Sequence, residues 1–371
     1  MRPRHRCHIA FPMFLDSVGG SQLATIELAR LLKNKNFKVT IVVHALTVDT
    51  LCMELSEFEQ EHLLLPVISF RQSWIVQRMW GLLVTTFRLY IHLSNNKYDI
   101  VHSNEVRSHI AWSLPCKLTG VPHIVHQRTK FSSSLSTLVA LWTARKIFAV
   151  SEFVKNSIPE KFHEKSERLY DPYTRLTRFI PNNLEEKNSR TIRKQIIFIG
   201  KLTRQKNPDL FLRIALDLTA LSGGFYNFLV LGEEEYWNTQ NLLALDARYK
   251  GLPIKFHGFD SNISRHLDNS IALIALGEDE GFGRVIWEAF SHDVVVIAAN
   301  SGAFPEIISD GYTGVLVDLK DLDCAAAKVA GVLSDHEIVN QMCSAGRRAL
   351  SAFSQDYWLD CLVANYRKHS G

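Results

Sequence analysis

Two glutamates eight positions apart, Glu280 and Glu288, enclose a glycine-containing turn in the second half of the chain. An apolar run precedes the turn and a helical pattern follows it, so Gly281, Phe282 and Gly283 stand where a helix opens. Glycines let the backbone approach a ligand, and the unpaired N–H groups of a helix start attract anions. A carboxylate accepts hydrogen bonds from neighbouring hydroxyls. The pattern indicates a site for an anion that carries a diol; the alternative is two ordinary helix glutamates.

A second segment places three cations within six residues, Lys201, Arg204 and Lys206, directly after a glycine. It follows a predicted strand, and Pro208 suits the first turn of the next helix. The cluster could hold a diphosphate, or it could be a solvated basic loop.

A pair of glycines, Gly19 and Gly20, separates the first apolar strand from a helical stretch. The spacing is not G-x-G-x-x-G, which disfavours a dinucleotide-binding domain. All three segments stand at the carboxyl ends of predicted parallel strands, where open α/β sheets bind ligands. We therefore expect them to border one cleft between two domains.

Short apolar runs alternate with amphipathic stretches along the chain, and the pattern restarts near residue 195. The alternation is typical of parallel strands with helical crossovers. It predicts an α/β fold with two Rossmann-like, doubly wound domains, 1–184 and 185–352, and a C-terminal helix, 353–371, that returns to the first. The predicted strands are 8–12, 39–45, 67–70, 99–103, 124–126 and 147–150, and then 196–201, 227–232, 254–258, 272–276, 294–298 and 315–317.

Composition restricts the class of protein. The chain has 371 residues, of which 46% are hydrophobic and 22% charged, and this suits a globular protein of about two domains. No apolar stretch approaches the ~20 residues of a membrane span, and no signal-peptide core is present, so we expect a cytoplasmic location. Six scattered cysteines indicate reduced thiols.

Charge is uneven along the chain. Residues 1–180 hold 23 Lys and Arg against 14 Asp and Glu, whereas 181–371 hold 19 against 24. The basic half could face anionic lipid or a phosphorylated substrate, with nucleic acid the weakest of these readings. Ordinary variation between two domains is the alternative.

At these residues the sequence resembles the retaining glycosyltransferases of family 4, which have the two-domain GT-B fold. The E-x7-E motif of that family matches Glu280 to Glu288, and its phosphate loop matches Gly200-Lys-Leu with Gln205-Lys206. Four looser matches are the segment from Gly302 to Val317, Phe179-Ile-Pro-Asn182, Gly19-Gly20 and Val150-Ser151. The resemblance extends over nearly the whole chain and is most specific in the second half.

The resemblance implies a transfer of sugar from a nucleotide-diphosphate sugar to an acceptor hydroxyl, without a cofactor. Glu280 would contact the sugar, Glu288 the ribose diol, and Lys201 and Lys206 the diphosphate. His126 matches the histidine of the family near the transferred sugar, or it is a structural histidine. The remaining implied donor contacts are Gly19, Gly20, Gly281, Phe282 and Gly283, so that Glu280, His126 and Lys206 form the expected catalytic set.

Three departures from the family pattern stand out: Lys201 in place of arginine, Glu233 to Glu235 in place of a glycine, and Ala275 to Asp279 before the motif. A D-x-D pattern at Asp321 and Asp323 resembles a metal-binding motif, but it stands where a helix cap is favoured. We expect no metal in the reaction.

The acceptor side is less specific. Residues 71–93 are rich in Trp, Leu and Arg, which suits either an interfacial helix on anionic lipid or a core crossover helix. The first reading predicts a glycan or lipid-linked acceptor, peripheral membrane contact and a role in surface polysaccharide, lipopolysaccharide or glycolipid assembly. Two other functions remain open: a non-catalytic sugar-nucleotide-binding partner subunit and a GT-B-fold sugar-nucleotide epimerase.

Overall fold

The computed structural model describes residues 6–14, 20–44, 55–63, 75–171, 193–260, 262–353 and 355–369. The chain divides into two compact units. The first consists of Met1–Pro172 with Gln355–Gly371, and the second of Tyr173–Ser354. The predicted junction near residue 185 lies outside the described residues.

Each unit contains one parallel sheet. The strands of the first unit are β1 (His8–Met13), β2 (Lys38–Val43), β3 (Glu59–His62), β4 (Ile100–Ser103), β5 (His123–Gln127), β6 (Lys146–Ala149) and β7 (Ser166–Arg168). Those of the second are β8 (Gln195–Ile199), β9 (Asn227–Leu231), β10 (Ile254–Gly258), β11 (Ser270–Ala275), β12 (Val295–Ala299) and β13 (Val315–Val317). The spatial orders are β3-β2-β1-β4-β5-β6-β7 and β10-β9-β8-β11-β12-β13. In both sheets a topological switch point follows from the order, at β1/β4 and at β8/β11, and ligands of such folds bind at that point.

Helices connect the strands and cover the sheets. They are α1 (Gly20–Asn34), α2 (Ile75–Asn95), α3 (Val106–Thr119), α4 (Leu135–Thr143), α5 (Glu152–Ser157), α6 (Pro208–Leu221), α7 (Thr239–Ala244), α8 (Ile263–Asp268), α9 (Arg284–Ser291), α10 (Phe304–Ile307), α11 (Leu322–Ser334), α12 (His336–Ala349) and α13 (Gln355–His369). The central strands are buried along nearly their whole length, because helices on both faces exclude water from them.

The C-terminal helix α13 packs into the core of the first unit, as the sequence predicted. Trp358, Leu362 and Tyr366 are buried in one cluster with Ile9 and Phe11 of β1. The Tyr366 hydroxyl also hydrogen-bonds to Nδ1 of His102 on β4. The last helix of the chain is therefore part of the first unit, although the whole second unit precedes it in sequence.

The doubly wound α/β architecture is confirmed, and most predicted strands are present. The strand predicted at 67–70 lies outside the described residues. Two further strands, β3 and β7, have no counterpart among the predicted strands, and they are the two edges of the first sheet. Both are short and polar, since an edge strand faces water and carries no continuous apolar run. None of the five described cysteines forms a disulfide with another described residue.

Candidate active site

Lys206 and Glu280 meet in the second unit, 74 positions apart in sequence. The Lys206 ammonium forms a hydrogen-bonded ion pair with Oε2 of Glu280, and both side chains are partly exposed. Lys206 ends a short 3₁₀ turn after β8, and Glu280 follows β11, the neighbouring strand. The pair therefore stands at the carboxyl edge of the sheet, at its switch point, where both charges can reach a ligand.

Two polar side chains that the sequence analysis did not select hold these loops together. The carbonyl of Gln205 accepts the Glu278 N–H at 2.9 Å, and its side-chain amide donates to the Glu278 carbonyl at 3.1 Å. Asn207 donates to the Leu276 carbonyl at 2.9 Å. These bonds fix the spacing of the Lys206 and Glu280 loops. The phosphate-loop match includes Gln205 but gives it no role, and an Asn before Pro208 is too common a pattern to single out Asn207.

Glu280 is also held through its backbone. Its carbonyl accepts the Ala303 N–H at 2.9 Å. Gly302 precedes that donor with φ 61°, and a Cβ there would lie 2.6 Å from the Glu280 nitrogen and 2.7 Å from its carbonyl oxygen. Only glycine fits so close an approach. The 302–303 turn therefore positions Glu280.

The backbone at Gly200, which follows β8, lies very close to the backbone at Gly232, which follows β9. A Cβ on Gly232 would lie 1.9 Å from the Gly200 carbonyl oxygen, so the position requires glycine. The Gly232 N–H donates to the Gly258 carbonyl at 2.8 Å and thereby ties the ends of β9 and β10 together.

Lys201 contacts acidic side chains of its own unit. Its ammonium lies 3.2 Å from Oε2 of Glu233 and 3.6 Å from Oε2 of Glu235. Both glutamates belong to the segment that departs from the family pattern. The ammonium of Lys201 therefore interacts with two exposed carboxylates. The ammonium of Lys206, in contrast, pairs with a single glutamate, Glu280 of the E-x7-E motif.

Glu288 lies on α9, which Gly283 opens in a left-handed conformation. The Glu288 side chain is half-buried, and burial raises the pKa of its carboxyl, opposed by the nearby charges of Arg284 and His292. Among the described residues its carboxylate has no hydrogen-bond donor. A ligand hydroxyl could supply that donor. Phe282 and Gly283 are buried at the helix start, and Gly281 is buried beside them.

The predicted first-unit residues have a different environment. His126 lies on β5 and is fully buried, stacked on His102 with 5.6 Å between ring centroids. Burial, with the charge of Arg128 as the next cause, holds the His126 pKa well below its usual range, so the ring is neutral at physiological pH. Gly20 begins α1, and Gly19 lies outside the described residues. A role of these residues at the same ligand stays a prediction.

A buried ion pair at the end of β5 also escaped the sequence analysis. Arg128 pairs with Asp171, and it donates two hydrogen bonds to Oδ1 of Asn104, at 3.1 and 3.0 Å. A single arginine among 42 basic residues has no distinguishing pattern. Arg128 is distinguished only in the structure, where its charged side chain is buried.

The D-x-D segment forms a helix start. Asp321 caps α11 by accepting the Cys324 N–H at 3.1 Å, and Asp323 pairs with Arg213 at 2.9 Å. The two carboxylates thus have structural partners, as the capping alternative predicted.

Helix α2 carries an exposed apolar face opposite its packed face. Leu89 and Leu93 are buried in the core, whereas Trp80, Leu83 and Phe87 are 69%, 63% and 63% exposed at helical spacing. The helix is thus a crossover helix with an apolar outer surface, and contact of that surface with lipid stays a prediction. In the described part of the chain, no helix is both long enough and apolar enough to span a membrane.

Two family models match the chain, one in each half. Residues 18–170 match Glycosyltransferase Family 4, and residues 179–349 match Glycosyl transferases group 1. The second match contains Lys201, Lys206, Glu280 and Glu288.

Relatives with described activities support the same assignment. A UDP-Gal:alpha-D-GlcNAc-diphosphoundecaprenol alpha-1,3-galactosyltransferase of Escherichia coli is 24% identical and covers 92% of each chain. A D-inositol 3-phosphate glycosyltransferase of Mycolicibacterium paratuberculosis is 28% identical over 47% of this chain, a match that spans only 40% of that relative. The crystal structure of Anabaena HepE with UDP and glucose superimposes with a TM-score of 0.78 at 16% identity, over 98% of this chain and 100% of that one. At that identity the likeness concerns the fold, which is GT-B.

Proposed function

Because the chain belongs to glycosyltransferase family 4, we propose that it transfers a hexose-type sugar from a nucleotide-diphosphate sugar to an acceptor hydroxyl, with retention and without a metal ion. The observation that carries the proposal is the Lys206–Glu280 ion pair at the switch point of the second sheet. It places a cation and a hydrogen-bond acceptor side by side, as a diphosphate joined to a sugar requires.

The chemistry follows from the charges that develop in the reaction. As the sugar–phosphate bond breaks, negative charge grows on the leaving diphosphate, and fixed donors aimed at that charge lower the barrier. Lys206, Lys201 and the N–H groups at the start of α9 supply such donors, so the transfer needs no metal ion. The acceptor hydroxyl attacks the face that the leaving group vacates, and its proton goes to the departing phosphate oxygen. Retention in this scheme is taken from the family.

The other residues of the set have supporting roles in this proposal. Glu280 and Glu288 accept hydrogen bonds from the sugar and ribose hydroxyls. The glycines Gly19, Gly20, Gly281 and Gly283, with the Phe282 backbone, allow close approach to the diphosphate. His126, kept neutral by burial, acts near the transferred sugar.

For the donor and the acceptor we propose a UDP-hexose and a lipid-diphosphate-linked sugar. The full-length E. coli relative uses these classes of substrate, and the HepE structure contains UDP and glucose. The product would belong to surface polysaccharide, lipopolysaccharide or glycolipid assembly. The exposed apolar face of α2 suits the proposed peripheral contact with the cytoplasmic face of an anionic membrane.

The test incubates the purified full-length protein with UDP-, GDP- and ADP-sugars and a synthetic polyprenyl-diphosphate-linked N-acetylglucosamine, with and without EDTA. We expect an α-linked disaccharide product by NMR, formed at an unchanged rate in EDTA. Glu280→Ala removes the proposed sugar contact, and Glu278→Ala, an exposed glutamate of the same loop, is the matched control.

Four outcomes would contradict the proposal. Equal rates for Glu280→Ala and Glu278→Ala would exclude the assigned site. A β-linked product would exclude retention. An isomerised donor without acceptor would indicate the epimerase, and donor binding without turnover of any acceptor would indicate a partner subunit.

A further inference from the structure

Three side chains at the end of β10 and in the segment after it bring possible metal-ligand atoms close together. His257 lies at the end of β10, Asp260 follows it, and His266 is on α8. One ligand atom from each lies within 4.8 Å of the others. In the described part of the chain this is the one group of three or more His, Cys, Asp or Glu residues with such spacing. None of the three belongs to the proposed donor site.

The distances fit a small metal ion. Oδ2 of Asp260 lies 2.9 Å from Nε2 of His266, with which it forms a hydrogen bond, and 3.5 Å from Nε2 of His257. Ligands 2.0–2.1 Å from a tetrahedral zinc ion are about 3.3 Å apart, between these two values. The other oxygen of Asp260 accepts the Asn262 N–H at 2.8 Å, which orients the carboxylate as outer-shell bonds of metal sites do.

The side chain of Arg265 already contacts this group. The Arg265 guanidinium contacts all three side chains: it forms a hydrogen-bonded ion pair with Asp260, and it lies 3.3 Å from Nε2 of His257 and 3.2 Å from Nε2 of His266. Arg265 is the exposed member, at 57%, whereas the Asp260 and His266 side chains are 14% exposed. The His257 side chain is 29% exposed, so the guanidinium of Arg265 is the most exposed part of the group and the part most able to leave.

We propose that His257, Asp260 and His266 bind one divalent transition-metal ion of the zinc class, which displaces the Arg265 guanidinium. Two imidazoles and one carboxylate are ligands that zinc prefers, with water in the fourth position. The ion ties the end of β10 to α8. The site goes beyond the proposed transfer reaction and takes no part in its chemistry.

The test titrates tag-free full-length protein with Zn²⁺ by calorimetry, and with Co²⁺ followed by its visible absorption. We expect one ion per chain, a tetrahedral Co²⁺ spectrum, and a metal-dependent rise in the thermal midpoint. His257→Gln with His266→Gln should weaken binding more than about 100-fold, because loss of outer-shell partners alone costs 10–100-fold. His336→Gln, an exposed histidine on α12, is the matched control and should bind as the wild type.

The decisive variant is Arg265→Gln. Because the guanidinium competes for the same acceptors, its removal should strengthen metal binding about tenfold or more. A misfolded variant could not gain affinity, so this result is independent of any folding defect in the histidine variants. Equal affinity of the double histidine variant and the wild type would overturn the proposal, as would an Arg265→Gln variant that binds no more tightly.

Discussion

At the scale of single residues, the two lysines of the phosphate loop differ in what neutralises them. Lys206 pairs with Glu280, a motif residue whose proposed role is to contact the sugar, whereas Lys201 lies between two exposed carboxylates. A donor that binds Glu280 through a hydroxyl would leave the ammonium of Lys206 directed at the diphosphate. The ammonium of Lys201 would bind a diphosphate while it also interacts with Glu233 and Glu235.

Lys206→Ala should therefore lower kcat more than Lys201→Ala. The loss of one fixed donor to developing charge costs about 10²–10³ in kcat, and we expect that loss for Lys206→Ala in steady-state assays with the preferred donor. For Lys201→Ala we expect a smaller change, mainly in KM. Equal kcat losses for the two variants would show that both lysines face the leaving group alike.

Glu288 provides a pH test. Burial raises the pKa of its carboxyl in the folded state above the unfolded value. The folded protein therefore binds more protons than the unfolded chain between those two values, and stability falls as pH rises through them. Glu288→Gln should raise the thermal midpoint at pH 7, with the gain disappearing near pH 4.

The same variant should lose donor affinity at pH 7, because an amide accepts weaker hydrogen bonds from a diol than a carboxylate does. Thermal scans at several pH values, with donor binding by calorimetry, measure both effects. An Asp318→Asn variant, which removes an exposed carboxylate of the same unit, is the control. A midpoint difference that did not change with pH would contradict the assigned burial effect.

At the scale of elements, the turn at Gly302 fixes the Glu280 backbone. A Cβ at 302 would clash with both the nitrogen and the carbonyl oxygen of Glu280. Gly311 also has a positive φ, 75°, but a Cβ there would meet nothing within 4 Å. Substitution of either glycine therefore introduces backbone strain, but only substitution of Gly302 also displaces the backbone of Glu280.

Gly302→Ala should nearly abolish transfer, whereas Gly311→Ala should keep it. Both variants incur the left-handed strain of a non-glycine residue, about 1–2 kcal/mol, so both should unfold at a lower denaturant concentration. Only Gly302→Ala must move Glu280. Full activity in Gly302→Ala would mean that the position of the Glu280 backbone is not required.

The C-terminal helix offers a second element-scale test. Leu362 is fully buried against the first sheet, and Tyr357 on the same helix is 73% exposed. Leu362→Ala should cost about 2–5 kcal/mol of unfolding free energy, and Tyr357→Ala, as a surface change, less than about 0.5 kcal/mol. Urea unfolding followed by circular dichroism measures both. A small loss for Leu362→Ala would show that α13 adds little to the stability of the first unit.

How much of this could be predicted from the sequence depends on burial. Central strands such as β12 have continuous apolar runs, because both faces are covered, and they were identified; β3, with the sequence Glu-Gln-Glu-His, has no such signal. In the site, Lys206 and Glu280 were selected from their local patterns. Their ion pair could not be predicted in this way, since it depends on β8 and β11 being neighbours in the sheet.

At the scale of the whole molecule, charge and exposed apolar surface coincide. The first 180 residues carry the basic excess, and they also contain Trp80, Leu83 and Phe87 on the outer face of α2. A helix with an apolar outer face on a basic unit suits anionic lipid, through buried apolar area and about 1 kcal/mol for each cation near the surface. The second half, with its acidic excess, lacks that attraction.

We therefore expect the full-length protein to float with vesicles that contain anionic phospholipid, and to float less as salt rises, since the screening length is near 10 Å at 0.1 M. Trp80→Ala with Phe87→Ala should abolish flotation while transfer to a short water-soluble acceptor is kept. Leu221→Ala with Leu245→Ala removes comparably exposed leucines from the second unit and should leave flotation unchanged. If both double variants floated like the wild type, α2 would not be the membrane contact. If neutral vesicles bound as well as anionic ones, the basic charge of the first unit would have no part in it.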